Sequence, residues 1–312
     1  MSRRTLGTII AVLLTGLFFW WLAASQRLAP VLEGLAAVDL RILILAFPLV
    51  VLLQLGRAGR FVLLLERMRT GGLLASFRIS CVHIALNFLL PFKLGEAAFP
   101  LLARRLMGVD LAAGTGALLT VRLLDLGALG AMLALSASFA VPALAGWRWL
   151  AALAACLALA APLLLVLGGR LVVHRVQKLA TVAEVLARAR ARHTFGRVTA
   201  LSLLVWFCHA AVAWLAFASL GLPVDLATAV FAGTCANLAF ALPFQGIAGL
   251  GPVQAAFAWA ASSAGVPLPQ AITAALACHA ILLVSGCLLG ALAVLMEPRL
   301  QWWRRTEPRI AD

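Results

Sequence analysis

Long apolar runs, separated by short basic or Pro/Gly-rich stretches, fill the chain from residue 5 to residue 296. About 20 consecutive apolar residues in a helix cross a hydrocarbon layer about 30 Å thick, whereas a soluble domain interrupts such runs with charge. Six runs predict crossings: 5–24, 42–56, 111–140, 150–167, 198–220 and 271–296. The first is longer than the apolar core of a cleavable signal, so it is read as a retained helix.

Two more apolar stretches break partway. Residues 73–90 run into Pro91-Phe92-Lys93-Leu94-Gly95-Glu96 and resume over 97–106. Residues 226–242 run into Pro243-Phe244-Gln245-Gly246, with Gly249 and Gly251 close behind, and resume over 253–264. Proline removes an amide donor and glycine loosens the backbone, and at membrane depth the freed groups need protein or cavity partners. Each stretch is therefore predicted to be a re-entrant helical hairpin, at about 73–106 and 226–264.

The two hairpins resemble one another. Leu90-Pro91-Phe92 answers Leu242-Pro243-Phe244, with Asn87 and Asn237 shortly before them. Gly108-Val109-Asp110-Leu111 answers Gly265-Val266-Pro267-Leu268 at the start of the next run. With a cytoplasmic N-terminus the first hairpin enters from inside and the second from outside, which predicts an inverted-topology repeat, the build of many transporters. The fold class expected is thus an all-α polytopic membrane protein of about six spanning helices plus two re-entrant hairpins. It forms one transmembrane domain over 1–312, with a first half over 1–169, a connector over 170–197 and a second half over 198–312. The connector carries an apolar stripe (Val172, Val176, Leu179, Ala183, Leu186) beside Arg175, Lys178, Glu184 and Arg188, as in an amphipathic helix at the inner surface.

Composition agrees. Of the 312 residues 64% are hydrophobic and 12% charged, against about 45–50% and 25% in soluble domains. The net charge of +14 would suggest nucleic acid in a soluble protein. On the threading above, however, 19 of the 25 Lys and Arg residues fall on the inner side and only Arg27, Arg41 and Arg148 outside. The positive-inside rule then puts both termini in the cytoplasm, with no nucleic-acid partner; the absence of tyrosine and the use of Arg over Lys suit a GC-rich bacterial genome, hence an expected location in a bacterial inner membrane. Trp20, Trp21, Trp147 and Trp149 near the outer boundary, and Trp302 and Trp303 near the inner one, suit an aromatic belt.

Candidate chemistry is sparse. Six cysteines are scattered without a CxxC pair, and His83, His209 and His279 are dispersed, so neither a disulfide framework nor a metal site is expected. GxxxxGK[ST], HExxH and GxSxG are absent, so no cofactor or catalytic motif is implied. What stands out is charge inside the bilayer. Lys93 and Glu96 lie at the first break, and Arg122 and Asp125 lie about 17 and 21 Å into the run from Leu111. Left facing lipid, each would cost about 2.5–3.5 kcal/mol, so they must be paired or hydrated. Glu96 arrives from another segment, and Arg122 is its expected partner, with Lys93 as the rival. The group is either an ion-pair lock or a hydrated cavity for a headgroup.

At these residues the chain resembles the flippase-like transmembrane domain found in lysylphosphatidylglycerol synthases and as stand-alone bacterial membrane proteins. The resemblance covers residues 40–295. It rests on Arg57-Ala58-Gly59-Arg60-Phe61, the Leu90 to Glu96 turn with Pro100 following, Arg122-Leu123-Leu124-Asp125, and the glycine-rich turn from Pro243 to Gly251. Three positions depart from the family pattern: Phe99 where a basic residue is common, Val121 where an acid is, and Gln254 where a glutamate is. The resemblance implies movement of a phospholipid or polyprenyl-phosphate-linked lipid between leaflets, with membrane lipids as partners and a homo-oligomer as an option. The alternatives are a membrane-embedded lipid-modifying enzyme and a non-transporting scaffold for a lipid or glycan pathway. The candidate substrate-binding residues are Arg57, Arg60, Asn87, Lys93, Glu96, Arg122, Asp125, Asn237, Gln245 and Gln254. The candidate backbone breaks are Pro91, Gly95, Pro243, Gly246, Gly249 and Gly251.

Overall fold

The computed structural model describes residues 3–25, 27–90, 94–172, 185, 194–242 and 246–297. The connector at 173–193, except residue 185, and the C-terminal residues 298–312 with Trp302 and Trp303 lie outside them. So do Pro91, Lys93, Pro243 and Gln245. The described residues form helices α1 (Arg3–Ala24), α2 (Leu28–Ala36), α3 (Leu40–Ile44), α4 (Ala46–Leu64), α5 (Glu66–Leu89), α6 (Leu94–Met107) and α7 (Leu111–Ala140). After a 3-10 stretch at Pro142–Trp147 come α8 (Arg148–Val172), α9 (Phe195–Ala218), α10 (Leu226–Ala241), α11 (Pro252–Ser263) and α12 (Leu268–Met296). The protein is an all-α, multi-pass membrane protein.

Local chemistry sets the ends of these helices. Asp110 accepts from the amides of Ala112 and Ala113 at 2.9 and 3.3 Å, and Asp225 from Thr228 at 2.7 Å, satisfying amides that open α7 and α10. Both α6 and α11 stop at a left-handed glycine, Gly108 at φ 64° and Gly265 at φ 94°. The amide of Gly108 donates to Arg104 O and that of Val109 to Ala103 O; Gly265 and Val266 make the like bonds to Ser262 O and Ala261 O. These bonds close the free carbonyls at each C-terminus, so the matching Gly-Val pairs in the sequence are matching helix stops.

Among the described residues six helices are long and apolar enough to cross a membrane: Leu40–Leu64, Gly71–Leu89, Leu111–Ala140, Pro142–Ala161, Phe195–Ala218 and Leu268–Met296. A seventh span would join Ile9–Ala24 to Leu28–Ala36, which are bent by 99°. Two expectations change. The first limb of hairpin 73–106, expected to turn back before crossing, runs unbroken from the kink at Gly72 (φ 82°) to Leu89 and has spanning length. The second span does not end at Gly56. It continues to Leu64 and carries Arg57 and Arg60 into the bundle, removing two from the nineteen residues assigned to the inner side. For Arg60 a carboxylate across the bundle makes this burial tolerable.

The packing follows a regular scheme. α4 packs on α5 and α9, α5 on α6 and α12, α6 on α7, α9 on α10, α10 on α11 and α7, and α11 on α12. Exchanging α4 with α9, α5 with α10, α6 with α11 and α7 with α12 returns the same pairs. Small residues permit the close approaches. A Cβ on Gly290 would lie 2.5 Å from Ala85 Cβ and 3.2 Å from Cys81 O, so the Gly286-x-x-x-Gly290 face of α12 is what lets α5 in. Phe99, 0% exposed, stacks on Phe61 with ring centroids 3.8 Å apart, which accounts for an aromatic at a position where charge was expected. α8 packs on α7 and on the 3-10 stretch before it, and up to residue 161 its side chains are otherwise largely exposed.

Candidate functional site

Four of the apolar helices carry a polar stripe at three- or four-residue spacing, which puts the polar groups on one face of each. The stripes are Gln54, Arg57 and Arg60 on α4, His83 and Asn87 on α5, Arg122 and Asp125 on α7, and Ser202, Trp206 and His209 on α9. All four stripes converge. Beside them lies a cavity of about 550 Å³, reached by residues from α4, α5, α6, α7, α9, α10, α11 and α12.

The charges form two ion pairs. Glu96, in the first turn of α6, accepts from both Nε and Nη2 of Arg122, the former at 3.2 Å. Asn87 Nδ2 supports the carboxylate at 3.1 Å, and His83 Nε2 lies 3.7 Å from it. Gly95 makes this possible: a Cβ there would stand 2.5 Å from the Asn87 amide nitrogen and Oδ1, so only glycine brings the start of α6 against the end of α5. In the second pair Arg60, 2% exposed, donates through Nη1 to Asp125 Oδ1 and at 3.1 Å to Ser202 Oγ. Trp206 Nε1 donates to the same Asp125 oxygen at 2.9 Å, and Arg122 Nη1 lies 3.7 Å from Asp125 Oδ2. Buried charge is tolerable because each carboxylate is paired and hydrogen-bonded.

Arg57 differs. Its Nη1 donates to Gln54 Oε1 at 3.3 Å and its Nη2 lies 3.1 Å from His209 Nε2, and no carboxylate among the described residues pairs with it. Gln54 Nε2 and His209 Nδ1, both buried, have no hydrogen-bond partner. Among the described residues around the cavity three guanidinium groups thus stand against two carboxylates, and the surplus charge rests with Arg57, which lines the cavity. The rest of the lining is largely apolar and aromatic and includes Phe240, Val253, Phe257 and Leu282.

The chain matches the model of the lysylphosphatidylglycerol synthase transmembrane region over residues 8–290. It belongs to that family. The match to the lysylphosphatidylglycerol synthase transmembrane-region family thus takes in most of α1 as well as residues 40–290 of the 40–295 stretch on which the resemblance rests. Comparison with curated proteins gives no match.

In this family member the expected residues fall into three groups. Arg57, Asn87, Glu96, Arg122, Asp125 and Asn237 line the cavity. Arg60 and Gln254 do not: Arg60 lies behind the wall against Asp125, and Gln254 accepts from the Gly251 amide at 2.7 Å and caps α11. Lys93 and Gln245 lie outside the described residues, as do Pro91 and Pro243. Of the remaining breaks, Gly249 and Gly251 adopt φ 82° and 106°, and Gly246 begins the turn. The pairing of Arg122 with Glu96 rather than Asp125 alone follows the sequence expectation. Gln54, His83, Trp206 and His209 were missed, although the spacings 54-57-60 and 202-206-209 carried the signal.

Proposed function

We propose that the protein moves an amphipathic lipid between the leaflets of a bacterial inner membrane. The lipid is a phospholipid or a polyprenyl-phosphate-linked lipid. The observation that carries this reading is one cavity lined both by charged groups, one of them without a carboxylate partner among the described residues, and by apolar and aromatic side chains. A headgroup needs the first and a hydrocarbon chain the second, and about 550 Å³ is ample for a headgroup. The surplus positive charge at Arg57, with donor capacity at Gln54 and His209, suits a phosphate oxygen, because a guanidinium presents a planar fork to phosphate. Membership of the synthase's transmembrane region supports transport rather than catalysis.

The exchangeable packing scheme supports an inverted repeat of α4–α7 and α9–α12, in which two related conformations open one site to opposite sides. The basic residues support cytoplasmic termini.

Arg57→Gln separates a binding site from a structural lock. An arginine with no carboxylate partner carries desolvation cost without an ion pair to offset it, so its loss leaves thermal stability unchanged or raised. Translocation of fluorescent phosphatidylglycerol in proteoliposomes should fall at least tenfold. Full translocation by the Arg57→Gln protein overturns the assignment of the headgroup to these charged groups. A change in the lipid's mass during the assay would instead mark an enzyme.

A further inference from the structure

The tips of the two hairpins are held in corresponding ways. Leu90 ends α5 and Leu242 ends α10, both in extended conformation. Six residues beyond Leu90 is Glu96, and six beyond Leu242 is Ala248. The residue that grips Glu96 is Arg122, twelfth in α7; the residue that grips Ala248 is His279, twelfth in α12. His279 Nε2 lies 2.9 Å from Ala248 O. A carbonyl only accepts, so this ring nitrogen carries the proton.

The two grips differ in kind. Arg122 holds a carboxylate through two charge-assisted bonds, with Asn87 joining in. His279 holds a carbonyl through a single bond, and the neighbouring Ile247 amide donates to Thr15 Oγ1 on α1 at 2.8 Å. Ala248 is also strained. At φ 53° it is the only non-glycine among the described residues in the left-handed region, where a Cβ crowds the backbone. His279 itself lines the cavity and meets Phe88 edge-on at 5.9 Å, so the grip borders the path a lipid would take.

We infer that His279 is a positioning residue: its ring N–H latches the strained tip of the second hairpin at Ala248, as Arg122 latches the first, and this weaker latch releases when lipid passes. The inference rests on the lipid-transport reading, and it makes the second hairpin the moving gate and the first the fixed one.

Hydrogen exchange of the full chain in phosphatidylglycerol-containing nanodiscs, read over residues 246–251 and 94–97, tests it. His279→Ala should speed exchange at 246–251 about three- to tenfold, the worth of one neutral hydrogen bond, and leave 94–97 unchanged. His279→Gln keeps a donor and should restore most of the protection. Ala248→Gly keeps the carbonyl but removes the strain, so its tip should exchange more slowly than the native one. Unchanged exchange in His279→Ala, or equal acceleration at both tips, overturns the latch. If His279→Ala does not fold, faster exchange in Ala248→Gly, or no protection in His279→Gln, does the same. Translocation measured on these proteins keeps the two ideas apart. Altered exchange in a protein that moves no lipid would sink the transport reading alone, and unaltered exchange in one that does would sink the latch alone.

Discussion

Asp125 is the residue whose loss should be felt most. Its side chain, 5% exposed, takes bonds from Arg60 Nη1 and Trp206 Nε1 and lies 3.7 Å from Arg122 Nη1. An asparagine in its place keeps the volume and an oxygen for Trp206, so Asp125→Asn isolates the charge. At an effective dielectric of about 20, unit charges at that separation interact by about 4 kcal/mol, and breaking a buried pair costs about 3–5 kcal/mol. For a chain of 312 residues we expect Tm to fall by about 5–8 °C. Arg60→Met should cost less, about 1–3 kcal/mol, because Asp125 keeps Trp206 and Arg122 while the surplus of guanidinium groups disappears. The double variant Arg60→Met/Asp125→Leu should regain much of the loss, less the cost of an unpaired Trp206 N–H. Thermal unfolding in nanodiscs, followed by tryptophan fluorescence, measures all three. A Tm change under about 3 °C for Asp125→Asn, or a larger loss for Arg60→Met, refutes the charge inventory drawn around the cavity.

Other outcomes follow from the same geometry. Glu96→Gln and Arg122→Gln should each destabilise by about 3–5 kcal/mol and the double variant recover much of it, yet translocation should stay lost; recovery of transport with stability would reduce the pair to a lock. Gly95→Ala places a Cβ against the Asn87 backbone and should cost about 1–3 kcal/mol and slow transport, seen as a lower Tm and a lower translocation rate. Gly290→Ala pushes α12 off Ala85 at a similar cost, measured the same way. In intact cells a cysteine introduced beside Arg148 should react with an impermeant maleimide and one beside Arg188 should not; reaction at both reverses the orientation.

Much of the fold was legible because membrane solvent is a severe constraint. Apolar run length marked most spans, and the Gly-Val pairs marked where α6 and α11 end. The Glu96–Arg122 pair was legible because an unpaired charge at that depth is too costly to leave alone. Arg60 was misplaced for the converse reason. A basic residue after an apolar run reads as a membrane boundary unless its counter-ion is known, and Asp125 is 65 positions away. His83 and His209 looked dispersed because they were compared with one another, whereas each belongs to the polar face of its own helix.

α8 packs on little besides α7, yet its place in the chain has a consequence of counting. On the proposed arrangement, a half built of α4, a hairpin that returns to its own side, and α7 crosses the membrane an even number of times. A copy attached directly behind it would therefore start from the same side, and the two halves would be parallel. One additional traverse makes the total odd. On the proposed inverted arrangement α8 is that traverse, so its contribution is one of parity, and a helix that only has to change sides needs little complementary packing to do so.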